Sequence, residues 1–425
     1  MQTYINPDRS LWEGICSRPA GDNPVVRERV AAIIERVRKD GDEALRQLSL
    51  EIDGRELGSV EVTPSEIEEA VAKVSDEVKA AIANAAANIR RFHEAQMPKP
   101  VDVMTAPGVR CMQKPVPIRR VGLYIPGGTA PLFSTVLMLA IPAGIAGCSQ
   151  LVLCTPTGKD GKVSAEVLYA ASYCGVQRIF KVGGAQAIAS MAYGTLTIPK
   201  VDKIFGPGNQ YVTTAKQMLS SNTVAIDMPA GPSEVMVIAD SSSDPAFAAA
   251  DLLSQAEHGM DSQVMLVCDS EATAKGIMEE VEVQAARLER AGFVEGALSK
   301  SRFVIFDSED DVVDFADCYA PEHLIVSTSE PWKITDRISA AGSVFVGKYT
   351  PESAGDYASG TNHTLPTCSW ARSFSGVNID SFMRKMTIQE ITEDGLRQLS
   401  GTIVAMAEAE GLQAHANAVK VRIKE

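Results

Sequence analysis

At 425 residues the chain is too long for a single ordinary core, so two to four domains are expected, and 45% hydrophobic content is ample to build them. The formal charge of -14 and a pI near 5.0 suit a soluble globular protein. No run of Lys or Arg is long enough to track phosphates, which argues against a nucleic-acid partner.

The opening residues, Met1-Gln2-Thr3-Tyr4-Ile5-Asn6-Pro7-Asp8-Arg9, lack the charged-then-apolar pattern of a signal peptide, so a cytoplasmic protein is expected. Residues 1–22 read as a short irregular arm with Trp12 as its docking anchor. From Val25 to Leu50 and from Thr63 to Gln96 apolar residues recur at helical spacing. Thr63-Pro64-Ser65-Glu66 is a capping box with proline at the first helical position. His93 falls near the end of the second stretch, where a histidine needs no function. The uncharged stretch Ala130 to Cys148 is interrupted by Pro142 and two glycines and reads as a buried helix, so no membrane partner is expected. Eight cysteines without a C-x-x-C pair fit reduced, mostly core thiols.

From about residue 119 short β-branched runs alternate with helical segments: 120–125, 151–154, 178–182, 203–205 and 224–226, then 235–238, 263–267, 302–305, 323–326 and 343–346. The reading is α/β, with two Rossmann-like parallel-sheet units, the short N-terminal arm and a small helical C-terminal tail. Two five-strand units suggest a duplication, although no residue-level repeat is visible. Beyond about 376 strands are expected to cease, and Met386 to Glu425 reads as helical with a break at Gly411.

In open parallel sheets ligands sit beyond the carboxyl ends of the strands. The loops there are glycine-rich: Tyr124-Ile125-Pro126-Gly127-Gly128, Gly183-Gly184-Ala185-Gln186 and Gly206-Pro207-Gly208-Asn209. Their amides suit an anion or pyrophosphate, but tight strand-to-helix turns account for them equally well, and there is no G-x-G-x-x-G. Leu252-Leu253-Ser254-Gln255-Ala256-Glu257-His258-Gly259 ends an apolar helix in a polar cluster. Gln255 and His258, three apart, share a face. This is either half of a mixed nitrogen and oxygen metal site or a helix terminus where His258 satisfies carbonyls. Glu322 and His323 place two bases just before a strand, enough for two proton transfers. The loop 351–363 adds Asp356 and His363, and the tail adds Glu410 and His415. Four of the five histidines thus lie in acidic, glycine-flanked surroundings. Gln255, His258, Asp356 and His415 make a set without thiolates, suited to Zn²⁺ or Mn²⁺. Cys111 and Cys148 have no basic neighbour in sequence, which speaks against a thiol nucleophile.

The segments S-Q-A-E-H-G at 254–259, A-P-E-H-L at 320–324, P-E-S-A-G-D-Y-A-S-G-T-N-H at 351–363, G-P-G-N-x-Y-V at 206–212 and E-G-L-x-A-H at 410–415 resemble histidinol dehydrogenases, in that family's order and over nearly the whole chain. The resemblance implies oxidation of L-histidinol through L-histidinal to L-histidine with two NAD⁺ and one Zn²⁺ per subunit. Carried over by motif, it implies Gln255, His258, Asp356 and His415 as zinc ligands, with the substrate completing the shell, and Glu322 and His323 as the acid–base pair. Ser233, His363 and Glu410 would surround the substrate, and Tyr124, Gln186 and Asn209 would touch NAD⁺. The tail would be shared across a homodimer. The implied division is an arm (1–22), a zinc and catalytic domain (23–123 with 235–375), an NAD-contacting domain (124–234) and the tail (376–425). A paralogue acting on another polyol or a sulfonated diol should differ at Glu410 and His415, a metallohydrolase would leave the glycine turns idle, and a non-catalytic metal-binding protein has no need of both Glu322 and His323.

Overall fold

A computed structural model describes residues 2–18, 23–127, 131–229 and 231–423. Of the expectations above, residues 19–22 of the arm, Gly128 of the first glycine turn, and Ala130 lie outside the described residues. The chain begins with a strand, β1 (Gln2–Ile5), and after a series of helices forms the hairpin β2 (Val101–Ala106) and β3 (Val109–Pro117). Then β4 (Arg120–Tyr124), β5 (Gln150–Cys154), β6 (Arg178–Phe180), β7 (Lys203–Phe205) and β8 (Ala225–Ile226) build a parallel sheet in the order β6-β5-β4-β7-β8. A second parallel sheet follows from β9 (Glu234–Ala239), β10 (Gln263–Cys268), β11 (Arg302–Ile305), β12 (His323–Ser327) and β13 (Ser343–Val346), ordered β1-β11-β10-β9-β12-β13. Apart from β1, both sheets repeat one order, third-second-first-fourth-fifth. Every residue of β9, β10 and β12 is buried, as expected of parallel strands covered by helices on both faces.

The arm is therefore not irregular: β1 pairs in register with β11, Gln2 opposite Arg302. Its four residues are mostly exposed, so the sequence carries no apolar alternation, and the neighbouring strand supplies the order. Trp12 docks as expected, edge-on to Phe306 and Phe315 at 5.5 and 5.4 Å.

The division of the chain differs from the one implied by sequence. The helical stretch does not join the second sheet but covers the first. Val30 and Val37 of the helix Pro24–Asp40 share a core with Ile188 and Val212, and Ile82 and Ile89 of Asp76–Glu94 share one with Leu123 and Leu137. Consecutive elements pack on their chain neighbours here, and β4 itself belongs to the five-stranded sheet. The capping box at Thr63 forms, and His93 is a buried core histidine whose Nδ1 donates to the Ile89 carbonyl at 2.8 Å. The apolar stretch becomes the helix Phe133–Ala146, buried along nearly its whole length. Among the described residues no helix is long and apolar enough to cross a membrane.

Strands also do not cease at 376. β14 (Met383–Ile391) pairs antiparallel with β3 over nine residues, giving the sheet β14-β3-β2. This strand is almost wholly exposed, so it lacks the alternation that marks a half-buried strand. The helices Glu393–Ala409 and Gln413–Lys420 complete the tail and break, as expected, at Gly411 with φ +76°.

Candidate functional site

Gln255 closes the helix Pro245–Ala256 and is 1% exposed. Its Nε2 donates to the Glu234 carbonyl at 2.9 Å and lies 3.3 Å from Glu322 Oε2. Those acceptors fix the amide's direction and leave Oε1 buried without a hydrogen-bond partner. An orphaned buried oxygen costs on the order of 1–3 kcal/mol. A ligand oxygen poised for a cation accounts for that cost.

The surroundings agree. Ligand atoms of His258, Glu352 and Asp356 all lie within 4.8 Å of one another. Glu352 and Asp356 are four apart in the helix Glu352–Tyr357 and share its face. Nitrogen and carboxylate oxygens are donors that zinc accepts. Gln255 joins the group through His323, whose Nδ1 is 3.2 Å from Gln255 Nε2 and whose Nε2 is 3.5 Å from Asp356 Oδ1. His415 and Glu410 do not join it, because both are exposed on the tail.

The pair before β12 is buried. Nδ1 of His323 is 3.2 Å from the Glu234 carbonyl, so in the neutral ring Nδ1 carries the proton and Nε2 the lone pair. Burial alone would lower its pKa. Glu352 at 3.8 Å, Glu322 at 3.7 Å and Asp356 outweigh burial and hold the imidazole well above its usual range. Burial pushes the Glu322 carboxyl up, against the pull of His323 and the Glu234 N–H that donates to it at 2.8 Å. Burial likewise pushes Glu352 up to about 8. Asp356 is also penalised by burial, yet His323, His363 and His258 hold it below the ordinary carboxylate value.

His363 is half-buried, with Nδ1 donating to the Asp356 carbonyl at 2.9 Å. Its loop is tied to the helices of the first sheet: Asn362 Nδ2 donates to the Met138 carbonyl at 2.6 Å and Asn88 Nδ2 to the Ala358 carbonyl at 2.9 Å. Gly360 turns at φ +114°, where a Cβ would meet the Asn88 carbonyl oxygen at 2.8 Å, so no other residue fits. Ser233 lies directly before Glu234, half-buried, its carbonyl accepting from the Gln263 N–H.

This cluster is not beyond the carboxyl ends of its sheet. His323 and Glu234 are the first residues of β12 and β9, and Gln255 ends a helix that runs back from the carboxyl edge, so the chemistry lies at the amino edge. The glycine-rich loops of the first sheet lie at its carboxyl edge. Tyr124 ends β4, and its hydroxyl accepts from the Gly184 N–H at 3.1 Å; burial pushes its phenol up to about 12. Gln186 is buried in the third helix after β4, Gly184–Tyr193. Asn209 caps the helix Gln210–Ser220 through Oδ1, which accepts from the N–H groups of Tyr211 and Val212, so its amide nitrogen can turn outward. A cleft of about 790 Å³ opens at this edge, bordered by Gly127, Thr155, Pro156 and Arg55.

A sequence model of a family described as histidinol dehydrogenase matches residues 16–423. A histidinol dehydrogenase of Bacteroides fragilis (strain YCH46) is 55% identical over 425 residues, covering 100% of this chain and 99% of the relative. The chain belongs to the histidinol dehydrogenase family. A family member from Yersinia pestis is 51% identical, over 97% of this chain and 93% of its own. The crystal structure of histidinol dehydrogenase from Elizabethkingia anophelis superposes with a TM-score of 0.96 at 49% identity, over 100% of this chain and 98% of that one.

Within this histidinol dehydrogenase fold, sequence reasoning missed two residues at the cluster. Glu352 was in plain view four residues before Asp356. Glu234 carried no local signal, since it acts by its backbone from the far side of the chain.

Proposed function

We propose that the protein oxidises L-histidinol through L-histidinal to L-histidine, the last steps of histidine biosynthesis, consuming two NAD⁺. The observation that carries this reading is the orphaned Oε1 of Gln255, whose amide lies 3.2 Å from His323, itself 3.5 Å from Asp356 of the His258–Glu352–Asp356 cluster, together with the buried Glu322–His323 pair. Gln255, His258, Asp356 and His415 of the partner subunit would hold one Zn²⁺, which would supply orientation of the substrate and Lewis acidity. Tyr124, Gln186 and Asn209 would hold NAD⁺, which would supply the hydride acceptor for both steps.

The chain's own residues handle the protons. In the neutral form of His323, with Nδ1 engaged by Glu234, Nε2 takes the hydroxyl proton as the alcohol's carbon loses hydride to NAD⁺, giving the aldehyde and NADH. Glu322 then removes a proton from water as its oxygen bonds to the aldehyde carbon, and His323 gives the proton it took to the former carbonyl oxygen, leaving the hydrate and a neutral imidazole. His323 takes a hydroxyl proton from the resulting hydrate while a second hydride leaves, giving the carboxylic acid. Ser233, His363 and Glu410 surround the substrate, and burial of the pair keeps bulk water away from the aldehyde.

The active unit of this reading is a cytoplasmic homodimer in which each tail completes the neighbour's site. Exposed apolar side chains on the tail unit, Met386, Ile388, Met406 and Leu412, suit a contact surface. The deciding experiment counts NADH formed per histidinol consumed. Two equivalents with histidine as product support the reading; one equivalent, or none, overturns it.

A further inference from the structure

We infer that Arg18, in the N-terminal arm, is a positioning residue for the acid–base pair, acting through Glu234; the inference rests on the roles given above to Glu322 and His323. Glu234 is the residue on which the site is hung. Its N–H donates to Glu322 Oε2 at 2.8 Å, and its carbonyl lies 2.9 Å from Gln255 Nε2 and 3.2 Å from His323 Nδ1. One peptide segment thereby aims the water-activating carboxylate, the proton-shuttling imidazole and the orphaned amide oxygen.

The side chain of Glu234 does no chemistry on that side. Its carboxylate accepts from Arg18 through Nε and Nη2, both at 2.9 Å, and from the Cys368 N–H at 2.8 Å. Arg18 is in turn fixed by the Cys16 and Tyr319 carbonyls, each 2.7 Å away, and lies 3.6 Å above the Tyr319 ring. The two charged side chains are 8% and 1% exposed. A two-pronged pair of this kind holds geometry as well as charge. The arm reaches it by running along the amino edge, where the Ser17 carbonyl accepts from Gln263 and Arg302. Tyr319 lies three residues before Glu322, so Arg18 grips the strand carrying Glu234 and the loop entering Glu322 together.

Removing the fork leaves a buried carboxylate unpaired, and the segment carrying Glu234 must shift to relieve it. The test is steady-state kinetics of zinc-loaded holoenzyme carrying Arg18→Ala, Arg18→Lys or Glu234→Gln, with Glu322→Gln alongside. Arg18→Ala should lose about 10- to 100-fold in kcat in both oxidations, the range for residues that orient a site from outside it. KM for NAD⁺ should stay within about twofold. Millimolar guanidinium should restore part of the Arg18→Ala rate and leave the wild type unchanged. Arg18→Lys, which keeps the charge without the fork, should fall between the two, and it serves if the alanine variant does not fold. Wild-type kcat in Arg18→Lys and Glu234→Gln, or a loss in folded Arg18→Ala that guanidinium does not touch, overturns the inference. Glu322→Gln reports separately on the underlying reading: unchanged turnover there sinks the acid–base assignment itself.

Discussion

The hydroxyl of Thr135 lies 3.2 Å from Nε2 of His363, whose Nδ1 is spoken for by the Asp356 carbonyl at 2.9 Å. With Nδ1 donating, Nε2 accepts, and the ring is held neutral between a helix of the first sheet and a loop of the second. Burial lowers its pKa further, in keeping with that neutral form. The two halves of the molecule thus meet at the His363 imidazole.

Thr135→Val keeps the shape and deletes the hydroxyl. A neutral hydrogen bond contributes about 0.5–1.5 kcal/mol net, so kcat/KM for the alcohol should fall about 3- to 10-fold, with Thr135→Ser near wild type. Equal kcat/KM in Thr135→Val and wild type would mean that His363 needs no such anchor.

Glu322→Gln should slow the aldehyde half-reaction more than the alcohol half, because only the former needs an activated water. Supplying the aldehyde directly separates the steps in a stopped-flow assay. A variant that oxidised the aldehyde at the wild-type rate and lost the alcohol step would require the roles of Glu322 and His323 to be exchanged.

Chelation should abolish turnover and leave the fold standing, since the ligand cluster sits at the rim of a sheet with its own buried core. Circular dichroism in chelator at room temperature checks it, and global unfolding there would make the site structural. Activity should return on adding zinc.

Metal-free protein should lose stability as pH rises from about 7 to 8. Glu352 is raised from 4.5 to about 8 and His323 lies well above 6.5, so at these groups the native state binds more protons than the unfolded chain across that window. Stability contributed by these groups is present at the acid end and lost as each deprotonates. His93, His258 and His363, lowered by burial, work the other way, but at lower pH, where the unfolded chain's histidines take up protons that the native rings refuse. Melting temperatures at pH 7 and 8 should therefore fall in that order, and Glu352→Gln should flatten the slope.

Mixed dimers test the shared tail. His258→Ala and His415→Ala are each expected to be inactive, but a heterodimer whose tails work in trans has one site with both defects and one with none. Random mixing should restore about a quarter of wild-type activity. Mixtures as inactive as the parents, with heterodimers confirmed by native mass spectrometry, would place His415 in its own subunit's site.

Ten of the eleven strands of the two parallel sheets were legible because buried strands must be apolar on both faces, which leaves short runs such as Val235-Met236-Val237-Ile238 in plain sight. β1, β2, β3 and β14 were not, since their exposed and half-buried residues obey no clean burial pattern, and the partners of β1 and β14 also lie far along the chain. The site followed the same logic. His258 and Asp356 stood out in glycine-flanked segments and His323 as a rare histidine beside Glu322, whereas Thr135, Glu234 and Arg18 matter through contacts 228 and 216 residues long.

The shared strand order of the two sheets, worked from opposite edges, means that an internal repeat is a poor guide to ancestry of function. The residue opening the fourth strand is Lys203 in one copy, donating to the Ser381 carbonyl, and His323 in the other. Each copy could specialise one rim while the other rim drifted. For protein engineers that is an opening: the carboxyl rim of the six-stranded sheet, with its crevice of about 410 Å³ beside Ser242, Ser329 and Lys348, is a place to graft new loops on the edge opposite the Glu322–His323 cluster.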